Sequence, residues 1–170
     1  MSAAALPLRE AGYPIRWVAD ENVHLTLKFL GEVPEERLAD VCRAVDDAAA
    51  GVSSFELHLK GFGVFPSPRR PSVVWAGIDL DPTLGELCSR TEEALNKLGY
   101  PKENRRFHPH LTLGRARKKG RPSEFEGFAE AVEQLEYSDD FRVESVDVVR
   151  SVLMPSGAVY DIIHSVELTS

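Results

Sequence analysis

Hydrophobic residues in this chain switch repeatedly between a period of two and a period near 3.6, and that switching limits the folds open to it. Over residues 22–30, Val23, Leu25, Leu27 and Phe29 fall on one face of an extended segment. Over 34–50, Leu38, Val41, Cys42 and Val45 recur instead at i, i+3, i+4 and i+7, the stripe of an amphipathic helix with a proline suited to its first turn. Strands are expected at 15–19, 55–59 with an extension over 62–65, 73–78, around 110–113, 141–153 and 158–168. A second helix should start at Asp81, a good N-cap followed by Pro82, bury Leu84, Leu87, Cys88, Thr91, Leu95 and Leu98, and end at Gly99. A third should cover about 124–135 with Phe125, Phe128, Ala129 and Val132 on one side. The proline-rich stretch 66–71 reads as a loop and Pro155-Ser156-Gly157 as a hairpin turn. Strands and helices taking turns in this way give an α+β fold with antiparallel sheets, in one continuous domain.

At 170 residues the chain can bury a core without disulfide or metal staples. No apolar run approaches the roughly 20 residues needed to span a bilayer, so no membrane association is expected. Cys42 and Cys88 fall in separate helices and read as reduced core thiols. With no secretory signal over residues 1–10, they point to a cytoplasmic protein.

The formal net charge of −7 argues against nucleic acid, but it hides a local reversal. Between Lys97 and Arg121 nine basic residues stand against one acid, Glu103, a segment of +8 in a chain whose remainder carries −15. Such a run is either a solvated loop or an electrostatic landing site for a phosphodiester chain, with the acidic remainder discouraging nonspecific contact.

One tetrapeptide occurs twice, as His24-Leu25-Thr26-Leu27 and His110-Leu111-Thr112-Leu113. In a strand, residues i and i+2 share a face, so each copy offers an imidazole and a hydroxyl side by side while its leucines point into the core. A single such histidine is ordinarily a polar residue on a solvated sheet face. Two in one cleft supply a pair of groups able to exchange protons near neutral pH, with two hydroxyl donors. That set suits in-line displacement at phosphorus, one histidine deprotonating the attacking oxygen and the other protonating the leaving oxygen. Thr26, Thr112 and a guanidinium, for which Arg115 is the nearest candidate, would bind the non-bridging oxygens. Neither a metal nor another cofactor is required.

The two His-x-Thr-x motifs and their flanks resemble the 2H phosphoesterase superfamily, in particular its bacterial RNA 2′,3′-cyclic phosphodiesterase branch, historically called 2′-5′ RNA ligase. The resemblance rests on Arg16-Trp17-Val18, on Glu21 through Gly31, on Gly61-Phe62-Gly63-Val64-Phe65-Pro66 and on Val74-Trp75-Ala76-Gly77. It continues in Phe107-His108-Pro109-His110-Leu111-Thr112-Leu113-Gly114-Arg115, Ser151-Val152-Leu153 and Tyr160. It implies a two-lobed (LigT-like) fold with pseudo-twofold symmetry around a central cleft, each lobe contributing one motif strand. It also implies hydrolysis of an RNA or nucleotide 2′,3′-cyclic phosphate to a 2′-phosphomonoester, with His24 as proton donor to O3′, His110 as proton acceptor from water, and Thr26, Thr112 and Arg115 on the phosphate. Ligation would use the same groups, a ribose hydroxyl replacing water without ATP, in keeping with the lack of a G-x-x-x-x-G-K-[ST] loop.

The chain departs from the pattern at its beginning, because the family usually opens with a strand and a helix for which residues 1–16 are too few. A sheet edge and part of a core face are expected to be left uncovered, which means a start site placed too far downstream, a true truncation or a dimer that covers the edge, and a monomer is favoured unless the truncation is real. Phe29 and Phe107 either stack a base or pack the wall of the cleft, and Arg105, Arg106 and Arg117 are further candidates for RNA contact. His108 precedes His110 by two, but no partner has metal-site spacing, so Pro109 more simply fixes the approach to the strand. His58 and His164 read as surface positions and Trp75 as core. Arg69 and Arg70 either clamp RNA or merely decorate a loop.

Overall fold

The computed structural model describes residues 5–68, 70–117, 121–154 and 157–170. The chain divides into two compact units, Met1–Thr26, His58–Asp79 and Pro109–Phe141 in the first, and Leu27–Leu57, Leu80–His108 and Arg142–Ser170 in the second. Both His-Leu-Thr-Leu segments begin in the first unit, which also holds His24, Thr26, His110 and Thr112. The resemblance implies one motif per lobe.

The first unit is built on a five-stranded antiparallel sheet of β1 (Ile15–Trp17), β2 (Phe55–Ser67), β3 (Arg70–Ile78), β4 (His110–Ala116) and β5 (Ser138–Val143), in the order β1-β4-β3-β2-β5. One face packs on α1 (Leu6–Glu10) and α4 (Phe128–Glu133) through Leu8, Ile15, Val74, Phe125, Phe128 and Val132. Before β1 the described residues hold only the five-residue helix α1, whose Leu8 is buried in this core, and β1 is an edge strand. The helix expected over 124–135 is broken. A 3₁₀ turn over Pro122–Phe125 ends at Glu126, and Gly127, whose φ of 75° is open to glycine at little cost, precedes α4. The break lets Phe125 and Phe128 both point inward, their rings 5.7 Å apart and Phe128 4.7 Å from Tyr13. Phe128→Ala should therefore lower the unfolding free energy by about 3–5 kcal/mol, read as a fall in the denaturant midpoint at constant slope.

The second unit packs α2 (Leu38–Ala49) and α3 (Pro82–Lys97) with the hairpin β6 (Ser145–Met154) and β7 (Gly157–Glu167). Val45, Ala49, Val52, Leu87, Val146 and Leu168 form one cluster and Val41, Ala44 and Leu95 another. Asp81 caps α3 as the sequence requires, accepting from the Thr83 and Leu84 amides at 2.8 and 3.1 Å. Cys42 and Cys88 are both free thiols. Burial, with Glu92 nearby, pushes the Cys88 thiol up, away from nucleophilic use.

Several boundaries differ from the sequence reading. The expected strand at 22–30 is absent. A 3₁₀ turn at Asp20–Asn22 carries the chain out of line, and only Leu25 returns to the ladder, as an isolated antiparallel bridge to Leu111. Beyond Thr26 the side chains have other partners: Leu27 packs on the second unit's core, and Lys28, its side chain 3% exposed, donates through Nζ to Glu92 at 2.7 Å and to the Pro101 carbonyl at 2.8 Å. Phe29 is 77% exposed and does not share the core face with Leu25 and Leu27. The loop expected at 66–71 is strand up to the turn, with Pro66 opposite Pro71 and Ser67 opposite Arg70, where two prolines at an irregularity ask nothing of the ladder. Pro34 precedes a 3₁₀ turn at Glu35–Arg37 and not α2 itself, and the strand expected at 141–153 is divided between β5 and β6. Arg69, Lys118, Lys119, Pro155 and Ser156 lie outside the described residues.

Candidate active site

In an antiparallel ladder, directly opposed residues project on one side and their neighbours on the other. The Leu25–Leu111 bridge therefore sets His24 across from Thr112 and Thr26 across from His110, all four on the face opposite the leucines. Exposure follows this alternation: His24 and Thr26 are exposed, Leu25 half-buried and Leu111 buried. Each motif's histidine thus faces the other motif's threonine, and the histidines are diagonal, with backbones roughly 7–8 Å apart in such an arrangement. A single bridge between residues distant in sequence takes the place of the expected strand pairing.

The histidine rings are held in different ways. His24 Nδ1–H donates to the Asn22 carbonyl at 2.8 Å, which fixes the ring and leaves Nε2 as the nitrogen for proton exchange. Asn22 closes the 3₁₀ turn that interrupts the expected strand, so the turn that breaks the strand is also the turn that orients the ring. His110 opens β4 and lies edge-on to Phe65 at 5.2 Å and beside Trp75 at 6.3 Å, with Phe65 and Trp75 themselves 5.1 Å apart. Trp75 is opposite Thr112 in the ladder and belongs to this face, not to the helix-covered core, correcting the reading of it as a core residue. The indole can lie there because β2 carries Gly63 opposite it: a Cβ at Gly63 would come 2.1 Å from Trp75 Cζ2. Facing glycine and tryptophan on paired strands are the sequence signal for this packing.

Arg115 should point away from Thr112, since residues three apart in a regular strand lie on opposite faces. A bulge reverses this. Trp75 pairs with Thr112 and Val74 with Gly114, so Leu113 is the extra residue, and Arg115, opposite Val73, regains the face of Thr112. Arg115 is exposed and has no ion-pair or hydrogen-bond partner among the described residues.

Phe29, Phe107, Arg105 and Arg106 belong to the second unit, Arg105 and Arg106 exposed and Phe107 half-buried. Arg117 ends β4's pairing, its amide donating to the Pro14 carbonyl at 2.8 Å. His108 is exposed. Among the described residues no three His, Cys, Asp or Glu side chains are grouped to hold a metal ion, and no helix is long and apolar enough to cross a membrane. His58 is exposed beside Asp140, but His164 is not a free surface position, for it is half-buried and its Nε2 lies 2.7 Å from Asp46.

A family model described as LigT like Phosphoesterase matches residues 3–75 and 78–160. The chain is 37% identical over 155 residues to an RNA 2′,3′-cyclic phosphodiesterase of Methanothermobacter thermautotrophicus, covering 90% of this chain and 82% of that one. It is 34% identical over 169 residues to an RNA 2′,3′-cyclic phosphodiesterase of Aeropyrum pernix, covering 96% and 92%. Among solved structures, a crystal structure of a Thermus thermophilus protein superposes with a TM-score of 0.79 at 26% identity, over 98% of this chain and 90% of that one.

Proposed function

The chain belongs to the LigT-like phosphoesterase family, and on that premise we propose that it hydrolyses RNA 2′,3′-cyclic phosphate ends to 2′-phosphomonoesters by acid–base catalysis between His24 and His110. The observation that carries this reading is the Leu25–Leu111 bridge, which gathers two imidazoles and two hydroxyls on one sheet face. Water attacks phosphorus, His110 takes its proton, the P–O3′ bond breaks, and His24 Nε2–H delivers a proton to the departing O3′. The histidines then exchange protons with solvent to reset. Thr26, Thr112 and Arg115 hold the non-bridging oxygens, whose charge rises in the transition state. Donors fixed on a sheet need little reorganisation to meet it.

The diagonal placement suits a base and an acid acting from opposite sides of phosphorus, and the assignment of His24 as the acid follows the family resemblance. In-line displacement needs the attacking and leaving oxygens on opposite sides of phosphorus, so a base and an acid must flank the phosphate and not share one side. A phosphate between the two rungs would have an imidazole on each side and a threonine beside each imidazole.

The test is an oligonucleotide ending in a 2′,3′-cyclic phosphate, incubated with EDTA, with the product read by phosphorus NMR. The expected product carries its phosphate on O2′ and a free 3′-hydroxyl. A 3′-phosphomonoester, or turnover that stops with EDTA and returns with a divalent cation, would overturn the reading. Arg115→Ala should lower kcat by about 10²-fold, the scale of losing one oriented donor to the transition state.

A further inference from the structure

Arg16 lies directly opposite Arg115 in the β1–β4 ladder, and Ile15 and Trp17 on either side of it point into the helix-covered core. Its guanidinium therefore projects from the same face as Arg115, Thr112 and the two histidines. The face is then a series of rungs along β4: Thr26 with His110, His24 with Thr112, and Arg16 with Arg115. Arg117 continues the alternation one step further, where its amide still pairs with Pro14. Like charges set directly across a ladder are destabilising. Neither Arg16 nor Arg117, any more than Arg115, has a carboxylate partner among the described residues. Other arginines of the described chain are matched differently: Arg9 pairs with Asp20, Arg43 with Asp40 and Arg150 with Asp161.

Unmatched guanidiniums on one end of a catalytic face call for an anion, and successive rungs of a strand are roughly 6.5 Å apart. The cyclic phosphate and its non-bridging oxygens engage the histidine rungs and Arg115. Arg16 shares its rung with Arg115, one rung beyond His24 and Thr112, so that with Arg115 engaged on the cyclic phosphate the second guanidinium of the rung is left for another anion. We propose that Arg16, with Arg117 beyond it, forms a subsite for the phosphodiester next to the cyclic phosphate, so that the enzyme prefers an oligonucleotide end to a mononucleotide. This rests on the cyclic phosphodiesterase reading above. A planar guanidinium can take a phosphodiester bidentately, which fixes the strand's register without reading its sequence. It also gives Arg115 and Arg117, two of the basic residues of the positive segment, a shared face with Arg16 within an otherwise acidic chain.

Two substrates separate the outcomes, a nucleoside 2′,3′-cyclic phosphate and a tetranucleotide ending in the same group. Arg16→Gln should lower the tetranucleotide-to-mononucleotide ratio of kcat/KM by about 10-fold, mainly through KM of the tetranucleotide, and Arg16→Lys should recover part of it. The logarithmic salt dependence of tetranucleotide kcat/KM should flatten by about 0.7 in Arg16→Gln, the loss of one phosphate contact on a single strand. An unchanged ratio, whether both substrates lose equally or neither loses, overturns the subsite. Equal loss would make Arg16 part of the reacting site or of the fold, and no loss would make it an edge-strand charge that only prevents sheet pairing. If the wild-type protein hydrolyses neither substrate yet binds the tetranucleotide with an Arg16-dependent affinity, the proposed reaction fails and the subsite stands.

Discussion

Replacing either His24 or His110 by alanine is expected to lower kcat on a 2′,3′-cyclic phosphate by about 10²–10⁴-fold, the range of a positioned general acid or base. His24 is exposed and bonded locally to Asn22 in the preceding turn, so its loss should leave the melting temperature nearly unchanged. His110 is packed against Phe65, and its loss should cost some stability as well. The double variant should fall far short of the product of the two single losses, because acid and base act in one transition state and neither is of full use without the other. Stopped or quenched-flow rates with thermal melts on the same samples would check both statements. Wild-type rates in both single variants would remove the histidines from the chemistry.

The second large effect comes from a residue with no functional group. Gly63→Ala puts a methyl 2.1 Å from Trp75 Cζ2 and 2.2 Å from Cη2, closer than real carbon contacts allow, so the indole must move. Trp75 in turn packs at a tilt against Phe65, and both flank His110. A shift of the imidazole by about 1 Å is enough to cost on the order of 10² in rate, and kcat should fall by that amount while KM changes little. Adding Trp75→Phe removes atoms that collide with the new methyl and should recover part of the rate. A Gly63→Ala variant with normal kcat would mean that the indole does not hold the histidine in place.

Local signals in the sequence carry much of the architecture. Asp81 before Pro82 marks the start of α3, and the 3.6-residue stripe through Val41 and Val45 marks the buried side of α2, because capping and amphipathicity are properties of neighbouring residues. The His-Leu-Thr-Leu alternation likewise gives the correct sidedness of His24 and Thr26 even though the segment is not a regular strand. Register is not legible in that way. Whether residue 25 meets residue 111 depends on partners 86 positions away, and nothing near Leu25 encodes it. The bulge at Leu113 is another case, since it alone returns Arg115 to the face of Thr112, and sequence spacing by itself places them on opposite faces. Arg16 and Trp75 are visible as residues but not as members of the site, because their membership follows from which strands lie next to β4.

Phe29 shows the opposite error. Its period-two spacing puts it on the face of Leu25 and Leu27, yet it is 77% exposed, because Lys28 is drawn to Glu92 and Pro101 and the extended pattern ends there. Period two shows where a strand could lie. The ladder partners decide whether one does.

The most direct measurement is the pH dependence of kcat/KM for the wild-type protein, His24→Ala and His110→Ala on one 2′,3′-cyclic-phosphate substrate in EDTA. A general acid works only while protonated and so limits the rate as pH rises, and a general base works only while deprotonated and limits it as pH falls. The wild-type profile should be a bell. His24→Ala should lose the alkaline limb and His110→Ala the acidic limb, each at a much lower rate. Complete bells in both variants would contradict a mechanism built on these two residues.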